Sequence, residues 1–134
     1  MFNGNFKMIN RDIEIQKIRP IIDFEEVEPS PFNNFQQALR QILKFQNNLL
    51  VESCFYYLQT KYKGFIAKDE VFKKDALYES LKKDIAFKKD LIGMIKGLMT
   101  LPEITFYNQN AADINKRLME FIFKRVYPQI MEKK

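Results

Sequence analysis

The chain has 134 residues, 46% hydrophobic and 29% charged, with a formal net charge of +5. That is the composition of one globular domain with a sizeable core rather than of a disordered chain. Only 4 glycines and 5 prolines leave little material for the many tight turns of an all-β fold, and no apolar run reaches the roughly 20 residues of a membrane-crossing helix.

Residues 1–30 differ from the rest. They carry Pro20 and Pro29, show no helical period, and hold "DIEI" (Asp12 to Ile15), which alternates polar and apolar as a short strand would. They are expected to form an extended acidic arm of net charge −2, against +7 for residues 31–134. The acidic run "DFEEVE" (Asp23 to Glu28) is either solvated or docks on the basic body, and Ile21, Ile22 and Phe24 are the residues expected to make that contact. The opening residues lack the charged-then-apolar layout of a secretory signal. Cys54 is the one cysteine, so no intramolecular disulfide can form, and a reducing, cytoplasmic location is expected.

The first long helix is expected from about Phe32 to Tyr62. Ser30 supplies its cap, Pro31 its first turn, and Gly64 its stop. Phe35, Leu39, Ile42, Leu49, Leu50, Tyr56 and Tyr57 make one apolar face. The opposite side begins polar, with Arg40 and Lys44, and then turns apolar: Val51, Phe55, Leu58 and Tyr62 follow at spacings of 4, 3 and 4. A helix in a three-helix bundle does not need two buried faces. Something must therefore cover this second stripe: the arm, a fourth short helix, or another chain. The stripe is expected to contact a partner or a second copy, with Lys61 and Lys63 on its rim.

The second helix is expected from about Asp69 to Met99, ended by Pro102. Leu77, Tyr78, Leu81, Ile85, Ile92, Ile95 and Met99 share its inner face, and Lys88 on that face would have to reach outward. The lysine-rich run "FKKDALYESLKKDIAFKKD" (Phe72 to Asp90) invites a nucleic-acid reading, but its acids answer its bases. Asp69 and Lys73, Glu70 and Lys74, Glu79 and Lys83, and Asp84 and Lys88 are spaced i,i+4 with the acid first. A phosphate-binding surface needs unopposed charge, so this run reads as a solvated face. "TKYKGFIAK" (Thr60 to Lys68) interleaves aromatics with lysines and could hold a single strand, though an inter-helix loop is the plainer reading. "PEITFYNQ" (Pro102 to Gln109) reads as a connector. The third helix is expected from Ala111 to about Tyr127, capped by Asn110 and interrupted by Pro128, with Asp113 pairing Arg117 and Glu120 pairing Lys124. Arg125 shares its face with Ile114, Leu118 and Phe121 and should be paired, by Glu52 or the arm's acids; a ligand site is the other reading.

The catalytic inventory is thin. The chain has no histidine, which removes the commonest general base and the commonest metal ligand. Cys54 lies mid-helix among apolar residues and reads as a structural thiol. No zinc set, calcium loop or glycine-rich phosphate loop is present, so no catalytic residue, metal or cofactor is expected. The expectation is an all-α antiparallel bundle of three helices, or four, with an extended N-terminal arm. Its expected function is a non-enzymatic interaction module, accessory subunit or adaptor. The alternative is a small basic nucleic-acid-binding protein.

Overall fold

A computed structural model describes residues 9–23 and 28–134, and the regular structure of the described residues is all helical, without strands. Seven α-helices follow in order: α1 (Asn10–Ile18), α2 (Pro31–Phe45), α3 (Asn47–Lys61), α4 (Glu70–Lys83), α5 (Ile85–Lys96), α6 (Leu101–Gln109) and α7 (Ala111–Met131). A 3-10 turn (Phe65–Ala67) stands between α3 and α4.

The caps explain the boundaries. Ser30 Oγ accepts the Asn33 N–H at 3.0 Å, and Pro31 opens α2. Gly64 takes φ 72 after α3, a conformation that favours glycine. Asp69 Oδ1 accepts the Phe72 N–H at 2.8 Å and starts α4. The expected second helix, however, is two helices. Asp84 leaves helical geometry (φ −84, ψ 102) and its side chain accepts the Phe87 N–H at 3.0 Å, capping α5. The break resets the helical phase, which is why Ile85 is exposed rather than buried. The expected first helix also breaks, at Gln46, whose amide is drawn sideways to the Met94 carbonyl at 2.9 Å. Leu49 and Tyr56, placed on the inner face by an unbroken wheel, are exposed, Tyr56 at 71%.

The expected connector is helix α6. Glu103 Oε1 accepts the Thr100 N–H at 2.9 Å, and Pro102 sits in the first turn rather than past a last one. Nor does Pro128 end the last helix: α7 runs on to Met131, with the Gln129 side-chain amide donating to the Arg125 carbonyl at 2.8 Å in the turn that the proline weakens. The Asn110 side chain does not cap α7; it donates back to the Phe106 carbonyl.

Helix α7 is the axis of the fold. Ile114, Leu118, Ile122, Val126 and Ile130 recur every four residues and are all buried. α3 and α4 pack along α7 most extensively, with α5 and α6 also against it, while α2 lies on α3, α5 and α6. One core cluster runs from Phe35 to Ile130 through all of these helices.

The arm is not extended over "DIEI"; that stretch is inside α1. Asp12 is fully buried and its carboxylate accepts the Leu101 N–H at 3.0 Å, at the start of α6. Arg11 donates to the Met99 and Gly97 carbonyls at 2.8 and 3.1 Å, closing the end of α5. Arg19 is buried and holds Glu103 through both oxygens at 2.6 and 3.1 Å, with Gln41 at 2.9 Å. Of the expected docking residues, Ile21 is not used. Ile21 is 93% exposed, Ile22 is half-buried, and Phe24 lies outside the described residues. Polar anchoring by Asp12 and Arg19, with buried Ile15 between them, holds the α1 segment to the body.

Candidate functional site

The stripe on the back of α3 has two fates. Val51 and Leu58 are buried in the core cluster, which corrects their expected place in a partner surface. The reason is the position of α3: α7 lies along one side of it while α4 and the 3-10 turn close another, so this helix does bury two faces. Phe55 and Tyr62, nearer the rim, are half-buried. Phe55 meets Phe65 edge to face at a centroid distance of 6.4 Å, with Lys133 Nζ 5.0 Å from its ring. Tyr62 meets Phe72 edge to face at 5.3 Å.

From Tyr62 the apolar surface continues outward along residues the sequence pattern had placed in a loop or on a charged face. Ile66 of the 3-10 turn and Val71 and Phe72 of α4 are exposed, Val71 at 70%. Lys61, Lys63 and Lys68 stand around them, exposed, as do Asp69 and Glu70 between Lys68 and Val71. Lys68 Nζ lies 5.3 Å from the Phe72 ring and Lys61 Nζ 5.5 Å from the Tyr62 ring.

Beside this corner runs a short polar chain. Tyr57 stacks on Phe87 at 3.9 Å. Its hydroxyl accepts from Lys61 Nζ at 3.2 Å and donates to Asp84 Oδ2 at 2.6 Å. The Tyr57 hydroxyl and the Phe87 N–H hold the Asp84 carboxyl below the usual aspartate range, and the Tyr57 bond pushes the Lys61 ammonium above its ordinary value. Both shifts move the groups further from neutrality. Cys54 is fully buried and its thiol is pushed up to about 12 by that burial.

The expected ion pairs mostly do not form. Glu79 holds Lys83 at 2.6 Å, but Asp69 and Asp84 serve as caps, and Glu70 accepts the Tyr127 hydroxyl at 2.8 Å. Lys88 reaches outward to the Lys82 carbonyl. On α7 neither Asp113–Arg117 nor Glu120–Lys124 closes; Arg117 lies over the Phe32 ring at 4.7 Å. Glu52 bonds Lys133 and not Arg125. Among the described residues no three His, Cys, Asp or Glu side chains converge as metal ligands would, and no helix is long and apolar enough to cross a membrane. No protein-family model, curated protein or solved structure matches this chain.

Proposed function

We propose that the protein is a non-catalytic helical interaction module, an accessory subunit or adaptor, and that the α3–α4 corner docks an apolar segment of another protein flanked by acidic residues. The observation that carries this reading is the exposure of Ile66, Val71 and Phe72 within seven residues of chain beside Tyr62. Scattered exposed apolar side chains are ordinary, whereas several gathered within two helical turns of chain have the make-up of a docking surface. Lys61, Lys63 and Lys68 favour acidic flanks on the partner.

Chemistry at the same place is poorly supported. A general base or acid is tuned toward the working pH, whereas Asp84 and Lys61 are both shifted away from it. Nucleic-acid binding through the same residues is the weaker alternative. Tyr57 is already stacked on Phe87, and lysines lie over Tyr62 and Phe72, so these rings offer little free face for bases.

A photo-crosslinking residue at Val71, used in the cell that makes the protein, tests the proposal. The comparison position is Ala112, which is exposed and about 22 Å down α7 from Tyr127 at the 1.5 Å rise of a helix. A discrete product at Val71 with an acidic segment of one protein, absent at Ala112 and lost with Ile66→Glu, supports the reading. The same products at both positions, or none at Val71, overturn it.

A further inference from the structure

Between α2 and α7 lies an open cleft of about 490 Å³, within the size range of small-molecule sites. Leu39, Leu43 and Phe121 form its apolar floor, and Arg40, Lys124 and Arg125 stand around it. None of these three cations makes an ion pair among the described residues. The local sequence explains why. α2 contains no acidic residue at all, and Glu120, the one acid a turn before Lys124, makes no ion pair with it. Arg125 is half-buried, and its hydrogen bond is a long one, 3.4 Å to Asn47 Oδ1, an oxygen that already accepts the Gln129 amide at 2.8 Å. A half-buried guanidinium with one weak neutral partner among the described residues has bonding capacity to spare, and an anion is the ligand that would fill it.

We infer that this cleft binds a small amphiphilic anion, with a phosphate or carboxylate head held by Arg40, Lys124 and Arg125 and an aliphatic body lying on Leu39, Leu43 and Phe121. The floor accounts for the body, since an inorganic anion would leave that apolar surface wet. The ends of the cleft argue for a small ligand over a polyanion. The cleft extends only about two turns along α7, and past Gln129 it gives way to a depression lined by Glu132 and by Glu52 paired to Lys133. A long polyanion would meet no unopposed cation among the residues lining that depression. The cleft is separate from the α3–α4 corner and does not depend on its function.

Calorimetric titration of the whole protein with octyl phosphate, below its micelle-forming concentration, tests the inference. One molecule should bind per chain, more weakly as salt rises, with amide shift changes centred on Leu39, Leu43 and Phe121. Arg40 and Lys124 are exposed, so Arg40→Gln and Lys124→Gln, singly or together, should keep the helical circular dichroism. The double variant should bind about tenfold or more weakly through the loss of two charge-assisted contacts. Octanoate binding as well as octyl phosphate would assign the head as a carboxylate site, and weaker octanoate binding would assign it to phosphate. Octanol binding as tightly as octyl phosphate would overturn the inference, because the charges would then be idle. Inorganic phosphate binding as tightly would overturn it too, because the floor would be idle. Unchanged affinity in the folded variants, or shifts centred elsewhere, would also overturn it.

Discussion

Asp84 accepts the Tyr57 hydroxyl through one oxygen and the Phe87 N–H through the other, and both bonds favour the ionised carboxylate. Its folded pKa therefore lies below the unfolded value of about 4. Around that pH the unfolded chain binds more protons than the folded one. The stabilisation is thus fully present above the unfolded value and is lost as pH falls through the folded one. Asp84→Asn, which can still cap α5, should be less stable than the parent at neutral pH, and the difference should close as pH falls through the carboxylate range. Urea unfolding along a descending pH series measures this, and a constant difference would show that the charge is not what matters. Asp12→Ala removes the buried acceptor of the Leu101 N–H. An orphaned buried donor costs about 1–3 kcal/mol, so the unfolding midpoint in urea should fall accordingly. At this scale the cap by Ser30 was readable, because a short oxygen-bearing side chain before an apolar period has one common use. The ion pairs were not readable. The same acid can serve a lysine, a backbone N–H or a tyrosine hydroxyl, and spacing alone does not rank them. Asp69 and Asp84 went to the backbone and Glu70 to Tyr127, which left Lys73, Lys74 and Lys88 without the pairings that spacing suggested.

Helix type was legible wherever a 3.6-residue period ran long, as in α7, but helix number was not. Gln46 is an ordinary helical residue, and the rod breaks at it where its side chain bonds the Met94 carbonyl, a long-range contact with no local signal. α6 did have a signal: Thr100 to Glu103 spells a capping box with proline in the first turn. Read as a stop after α5, Pro102 concealed it. α1 has a weakly amphipathic sequence and buries just Asp12 and Ile15. Its place is set by ion pairs and caps at the α5–α6 junction, and a short helix of that kind is marginal without its contacts. Arg19→Gln should therefore loosen α1 selectively. Amide exchange across Ile13 to Arg19 should quicken by about tenfold or more, while α3 and α7 keep their protection. Equal quickening in α7 would mean that the Arg19–Glu103–Gln41 cluster supports the whole fold and not the arm.

Across the whole molecule, the all-α class followed from few glycines and long helical periods, and the single core follows from α7 passing through its centre. What stayed hidden was how many neighbours each helix would have. Val51, Phe55, Leu58 and Tyr62 form one stripe on a wheel, yet the fold divides it: Val51 and Leu58 enter the core, and Phe55 and Tyr62 remain at its edge. A wheel gives direction from the helix axis and not the distance to the next helix. Stability measurements can read that division directly. Leu58 is fully buried within the cluster that joins α3 to α7, so Leu58→Ala removes apolar contacts on every side and leaves a cavity. The loss should be about 2–5 kcal/mol. Val71, the second residue of α4 and 70% exposed, faces water in the single chain, so Val71→Ala should change stability by no more than about 0.5 kcal/mol. The chain has no tryptophan, so urea transitions are followed by far-ultraviolet circular dichroism and tyrosine fluorescence. One core predicts that the two probes report coincident transitions for both variants. Near-equal costs at the two positions would refute the division of core from surface. A Leu58→Ala protein whose two probes separate would refute the single core.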